Sequence, residues 1–210
     1  MRYVYLHGFA SGPRSRKAVA FQSALAKKGV TLEVPDLAQG DFEHLTISGQ
    51  LAVVERQLAG EPACLIGSSM GGYLASLYAA SHREVDRLVL LAPAFGFSTR
   101  WQELLGPEQL RAWGQTGTIE VFHYGQNALC PLDYGLHEDA LRFPALPDFP
   151  QAAHIYHGIH DAVVPVSLSR ECVRQHQLCQ LTEFDSDHEL LNVLDQITEC
   201  AVPFLNRDLA

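Results

Sequence analysis

Five residues, Gly67-Ser68-Ser69-Met70-Gly71, carry the strongest chemical signal in the chain. They follow an apolar run, Ala63-Cys64-Leu65-Ile66, and open a helical pattern, Gly72-Tyr73-Leu74-Ala75-Ser76-Leu77-Tyr78-Ala79-Ala80. A G-x-S-x-G segment between a strand and a helix reads as a nucleophile elbow, a turn so tight that its middle serine is strained and its hydroxyl stands clear of the backbone. Side chains two residues to either side would collide in such a turn, so the chemistry calls for glycine at 67 and 71. The turn delivers Ser69 to a helix N-terminus, where free N–H groups and partial positive charge favour a developing oxyanion.

A nucleophilic serine needs a base, and the base needs a group to orient it. The segment Ala152-Ala153-His154-Ile155-Tyr156-His157 reads as a late strand running into Gly158-Ile159-His160-Asp161-Ala162-Val163-Val164-Pro165. Asp161 falls in the turn at its C-terminal end. The last strand, Gln180-Leu181-Thr182-Glu183-Phe184, ends in Asp185-Ser186-Asp187-His188. His188 is the expected general base and Asp161 the acid that reaches its far nitrogen. Asp185 and Asp187 read as turn and cap residues. The oxyanion donors are expected from the backbone N–H of Met70 and of Phe9, which follows the first strand Arg2-Tyr3-Val4-Tyr5-Leu6 and the turn at His7-Gly8. His154, His157 and His160 invite a metal reading. Residues three apart on a strand point to opposite faces, so no metal site is expected and the three read as solvated or hydrogen-bonded histidines.

The elements that must position these residues alternate between strand and helix. Helices are expected at about residues 15–28 and 45–58 and a strand at about 31–34. A nearly all-apolar strand is expected at about 86–92 and an amphipathic last helix at about 189–205. This order predicts an α/β fold, a mainly parallel sheet of about six strands with helices on both faces. The stretch 93–150 is too long for an ordinary crossover. It holds Phe95, Phe97, Trp101, Trp113, Phe122, Tyr124 and Tyr134. It is expected to form a small cap inserted around 94–150 in a single domain 1–210, with a short helical hairpin, and Phe95, Trp101 and Trp113 are candidate substrate-binding residues.

The chain has 210 residues, 47% hydrophobic and 19% charged, with a net charge of −9. That suits a globular enzyme and argues against nucleic-acid and anionic-membrane partners. The expected partner is a small molecule, which the family resemblance given below implies to be an ester. The five cysteines, 64, 130, 172, 179 and 200, form no C-x-x-C pair or disulfide framework, and Cys64 and Cys200 lie in apolar runs expected to be core. With no signal-peptide pattern at the start and no long apolar run, the expected compartment is the cytoplasm.

Tyr5-Leu6-His7-Gly8-Phe9-Ala10-Ser11-Gly12-Pro13-Arg14-Ser15-Arg16-Lys17-Ala18, taken with Gly67-Ser68-Ser69-Met70-Gly71-Gly72-Tyr73, resembles the YqiA-like small bacterial esterases of the α/β-hydrolase superfamily. The resemblance is specific over the first ~90 residues and thin beyond them, where the Asp161 and His188 motifs alone carry it. It implies hydrolysis of short-chain carboxylic esters without metal or cofactor, through a Ser69–His188–Asp161 triad. The segment 94–150 is longer and more aromatic than the family suggests, which leaves substrate size open. Thioesterases and acyl-protein or acyl-glucuronide esterases are the alternative, followed by a serine peptidase, a C–C hydrolase and a non-catalytic receptor.

Overall fold

The computed structural model describes residues 1–205. The chain runs through β1 (Arg2–Leu6), α1 (Arg16–Ala26), α2 (Ile47–Leu58), β2 (Ala63–Ser68), α3 (Met70–Ser81) and β3 (Val85–Leu91). An insertion follows, with α4 (Phe97–Thr116), β4 (Thr118–His123), β5 (Ala128–Asp133) and α5 (Gly135–Ala140). It closes with β6 (Ala152–Gly158), α6 (Val166–Gln175), β7 (Cys179–Phe184), a 3-10 turn at Leu191–Val193 and α7 (Leu194–Leu205).

Side chains alternate across a strand, and here both sets are apolar because both faces of the sheet are covered. Five strands pair in parallel in the order β1-β2-β3-β6-β7. Tyr3, Tyr5, Cys64, Ile66, Val89, Leu91 and Tyr156 pack under α1 and α7, against Phe21, Leu25, Ile197 and Ala201. Val4, Leu6, Leu65, Leu88, Leu90, Ala153 and Ile155 belong to the opposite core, with Val54 and Leu58 of α2, Tyr73 and Leu74 of α3, and Cys172 of α6. Each Val, Leu, Ile or Phe side chain among them, taken fully from water, contributes ~1.5–3 kcal/mol. The first two helices begin at side-chain caps. Ser15 Oγ accepts the Ala18 N–H at 3.3 Å, and Thr46 Oγ1 accepts the Gly49 N–H at 2.9 Å.

Two expectations about the elements are corrected. The sheet has five strands rather than about six. Residues 31–34 make only a parallel bridge between Val4 and Glu33, through Tyr5 N–H to Glu33 O (2.8 Å) and Glu33 N–H to Tyr3 O (2.9 Å). Pro35 has no N–H with which to extend the ladder. The bridge nevertheless lies on the edge of β1 opposite β2, so the chain leaves β1 toward one side and leaves β2 toward the other. That reversal is a topological switch point, the place where open parallel sheets bind ligands at their C-terminal ends. The last helix starts at Leu194 rather than near 189. Leu190 has φ 57°, and Asp187 Oδ1 accepts the N–H groups of Glu189 (3.0 Å) and Leu190 (3.3 Å). Asn192 Nδ2 donates to Asp185 O at 3.0 Å, so residues 185–193 are fastened as a loop.

The insertion holds the third departure, an antiparallel ribbon beside the helical segments that were expected. α4 is broken at Gly106 (φ 75°, ψ 166°) ahead of Pro107, which gives two helical segments. β4 and β5 form an antiparallel ribbon apart from the main sheet. Ile119 and Val121 alternate with the exposed Thr118, Glu120 and Phe122, the period of a half-buried strand. Among the described residues, no helix is long and apolar enough to cross a membrane. Cys64 is buried as expected, whereas Cys200 is exposed on the outer side of α7.

β6 ends in a backbone contact. A Cβ on Gly158 would lie 2.7 Å from the Ser186 carbonyl carbon and would overlap the Ser186 and Asp187 carbonyl oxygens, in the loop that carries His188. Gly158→Ala is therefore expected to lower stability by ~1–3 kcal/mol or more. Gly12, where an added Cβ would meet nothing within 4 Å, supplies the control through Gly12→Ala. Urea unfolding midpoints of the two variants decide it, with no loss in Gly158→Ala counting against the contact.

Candidate active site

The turn between β2 and α3 is as tight as its glycines suggested. A Cβ on Gly67 would lie 2.6 Å from Gly72 Cα, and one on Gly71 would lie 2.7 Å from the His7 carbonyl oxygen while overlapping the Leu6 carbonyl. Ser69 sits at φ 53° and ψ −116°, a strained conformation for a residue with a side chain. Its N–H donates to Leu91 O at 2.9 Å, and its carbonyl accepts from Ala94 N–H at 3.0 Å, so the end of β3 holds the turn from both sides. Ser68 is buried in β2 at 3% exposure, while Ser69 is partly exposed.

Three side chains from three loops meet at this end of the sheet. His188 Nε2 lies 3.1 Å from Ser69 Oγ, and His188 Nδ1 lies 2.6 Å from Asp161 Oδ2. An ionised carboxylate accepts only, so Nδ1–H donates to Asp161, leaving Nε2 to accept from the Ser69 hydroxyl. Asp161 Oδ1 accepts the N–H groups of Val163 (2.8 Å) and Val164 (2.7 Å). Burial pushes the Asp161 carboxyl up, but the hydrogen bonds of His157 and His188, the His188 charge and the Val164 N–H outweigh it and hold the group well below the usual carboxylate range.

Phe9 approaches from β1. A Cβ on Gly8 would lie 3.5 Å from Ser69 Cβ, so the Gly8–Phe9 peptide sits against the elbow. Among the described residues, no protein acceptor takes the backbone N–H of Phe9 or of Met70. The structure thus brings together Ser69, Asp161, His188, Phe9 and Met70. It does not bring the three candidate aromatics to the site alike. Phe95 (0% exposed) and Trp113 (2%) are core residues, and Trp113 Nε1 donates to Leu132 O at 3.1 Å. Trp101 is only partly buried and meets Phe9 edge-on at 5.8 Å between ring centroids.

Further residues also shape the site. His7 Nε2 accepts the Leu37 N–H at 3.2 Å, so Nδ1 carries the proton and donates to Gly8 O at 3.0 Å, orienting the peptide whose N–H belongs to Phe9. Burial is the main cause that pushes the His7 pKa down. Lys17 is buried, with Nζ 3.9 Å from Glu189 Oε2; burial lowers its pKa against the pull of Glu189, Asp161 and Asp187. His157 bonds Asp161 directly. Of the other two histidines, His154 bonds Thr182 and stacks on Tyr156, and His160 pairs with Asp185 at the surface. Among the described residues, no group of three His, Cys, Asp or Glu side chains is arranged to hold a metal ion.

A parallel sheet with a strained serine turn after one strand, and an acid and a histidine after two later strands, has the architecture of the α/β-hydrolase fold. The chain belongs to the family described as "Uncharacterised protein family (UPF0227)", whose model matches residues 2–205. It is 24% identical to the AB hydrolase superfamily protein YisY of Bacillus subtilis (strain 168), over 86% of this chain and 82% of that one. Among solved structures it is similar to Est1E from Butyrivibrio proteoclasticus with ferulic acid bound, at a TM-score of 0.80 and 24% identity over 96% of this chain and 86% of that one. It is also similar to a monoacylglycerol lipase from Paleococcus ferrophilus, at a TM-score of 0.74 and 15% identity over 97% and 93%.

The Asp161 carboxyl has a depressed value in the folded protein, so its stabilising contribution is complete above the ordinary carboxylate range. It drains away below about pH 5 as the pH falls toward the folded value. Asp161→Asn should therefore be less stable than the wild type at neutral pH, with a gap that narrows as the pH is lowered toward about 3. Urea midpoints at a series of pH values check this; a gap that stayed constant or widened in acid would be inconsistent with a stabilised carboxylate.

Proposed function

We propose that this protein is a serine esterase that cleaves carboxylic esters of small to medium acyl or aryl groups through an acyl-enzyme. The observation that carries the reading is the continuous chain Ser69 Oγ, His188 Nε2, His188 Nδ1, Asp161 Oδ2, with links of 3.1 and 2.6 Å, on a strained turn. In the first step His188 Nε2 takes the Ser69 proton as Oγ attacks the ester carbonyl. The N–H groups of Phe9 and Met70 receive the oxyanion, each such donor contributing ~3 kcal/mol to the transition state. His188 returns the proton to the leaving alcohol. Water, deprotonated by the same nitrogen, then releases the acid and regenerates Ser69. Asp161 orients His188 and stabilises its charged form. Similarity to a lipase and to a protein that binds ferulic acid supports a carboxylic ester with an apolar acyl or aryl part. Five free thiols favour a reducing compartment such as the cytoplasm.

The test separates the two adjacent serines. Ser69→Ala should lose ~10⁴-fold or more in kcat and all labelling by a fluorophosphonate, while Ser68→Ala keeps most of both. A probe adduct mapped to Ser68 would refute the assignment.

In the same reading the insertion is a cap that selects the substrate. Arg100 Nη2 donates to Val163 O at 2.7 Å, and Tyr124 N–H donates to Ala10 O at 2.8 Å, so the cap is tied to the Asp161 turn and to the loop after Phe9. Trp101, in ring contact with Phe9, is the aromatic that this reading assigns to the acyl group. Trp101→Ala should lower the ratio of kcat/KM for p-nitrophenyl hexanoate over acetate by an amount equivalent to ~1–3 kcal/mol. Trp113→Ala should act on folding instead, costing ~3–5 kcal/mol. An unchanged ratio in a folded Trp101→Ala would assign that ring to packing.

A further inference from the structure

His157, the penultimate residue of β6, is fully buried and has no part in the steps above. Its Nε2 lies 3.1 Å from Asp161 Oδ2 and 2.9 Å from the Val164 carbonyl oxygen, and its Nδ1 lies 2.7 Å from Ser169 Oγ on α6. The carboxylate and the carbonyl can only accept, so Nε2 carries the proton and donates to both. In the neutral ring Nδ1 then accepts from the Ser169 hydroxyl. Asp161 therefore takes four donors: the Val163 and Val164 N–H groups on Oδ1, and His188 Nδ1–H and His157 Nε2–H on Oδ2.

An apolar side chain of similar size would fill the same space. It would leave the buried Val164 carbonyl without this donor and Oδ2 with His188 alone, at the cost of an unsatisfied buried acceptor. The ring does more than close the turn, because it shares one carboxylate oxygen with the candidate base. Two N–H donors on one oxygen divide its negative charge, so each is held less strongly than it would be alone.

We infer that His157 is a positioning residue of this site: it fixes Asp161 Oδ2 where His188 Nδ1 meets it, and it limits how far the carboxylate favours the charged form of His188. The inference rests on the serine-esterase reading. Among charged groups, Glu183 on β7 is in electrostatic reach of His157. Lys17 on α1 is in electrostatic reach of Glu189, Asp161 and Asp187. All of these stay unchanged in the variants that follow.

The experiment measures kcat and KM for p-nitrophenyl acetate across pH in wild type, His157→Leu, His157→Gln, Ser169→Ala and Ser69→Ala, with thermal unfolding of each. His157→Leu should lower kcat by about 10–100-fold with KM within about twofold, the signature of a misplaced catalytic group rather than a lost binding contact. The acid limb of its kcat/KM profile should move to higher pH, because the undivided carboxylate favours the charged imidazole. His157→Gln, whose amide N–H can reach the same oxygen, should recover most of kcat and return the limb toward wild type. A folded His157→Leu with wild-type kcat, or with a limb unmoved or shifted to lower pH, overturns the inference, as does a Gln variant no better than Leu. If His157→Leu does not fold, Ser169→Ala carries the test: it leaves Nε2 in place but frees the other side of the ring, and its limb should move in the same direction by less, an unmoved limb being the overturning result. Hydrolysis that survives in Ser69→Ala would sink the esterase reading itself and is a separate outcome.

Discussion

Two stretches of backbone touch at the centre of this molecule, and the site depends on that contact. The start of α3 lies against the carbonyls that end β1, at a separation only Gly71 permits, while Gly67 clears the same turn from the other side. Packed this closely, the chain passes Ser69 through φ 53° and ψ −116°. Strain of this kind costs of the order of 1–3 kcal/mol and persists only where the surroundings over-determine it. Here they do: Leu91 and Ala94 bond the Ser69 peptide groups, and the strands beneath are buried on both faces. The same contact sets the Gly8–Phe9 peptide beside the serine. The distance between hydroxyl and candidate oxyanion donors is therefore fixed by backbone packing rather than by flexible side chains.

A second constraint is the buried charge of Asp161. A carboxylate removed from water is tolerated only when donors replace the hydration it has lost. Its two oxygens find four donors, two from the backbone of their own turn and two from imidazoles on β6 and on the loop after β7. The donors that make the charge tolerable also orient it, so stability and geometry are settled by the same bonds. Gly158 lets the His188 loop close over the end of β6, which brings the second imidazole within reach.

The insertion is coupled to both halves of this arrangement. Arg100 reaches the turn of Asp161, and the ribbon holds the loop that follows Phe9 through Tyr124. Tyr73 of α3 donates to Pro144 O at 2.9 Å, which anchors the far end of the insertion to the elbow helix. Trp113 is the hub inside it, in ring contact with Trp101 and Tyr134. A change in how the insertion packs would thus be felt at the Asp161 turn and at the loop after Phe9 together.

Local chemistry made much of this legible beforehand. The elbow could be read from Gly67 and Gly71 because the steric limit acts within five residues. The parallel, doubly covered sheet could be read from apolar runs such as residues 86–92, and Asp161 and His188 from their places at strand ends. The aromatic insertion declared its length but not its ribbon, since Ile119 and Val121 alternate for too few residues to stand out. Residues 31–34 had the composition of a strand and made a single bridge, because Pro35 and the edge position deny it a ladder. The aromatics of the insertion were indistinguishable by type: whether Phe95, Trp101 or Trp113 is core or wall depends on what packs on the other side. The same holds for His157, whose bond to Asp161 arises when the chain wraps from β6 into α6 and brings Ser169 under the ring. Residue identity determined which groups were able to do chemistry, because reactivity, turn sterics and periodicity are properties of short segments. Only the tertiary structure decided which groups meet, because hydrogen bonds and burial are set by distances between segments far apart in the chain.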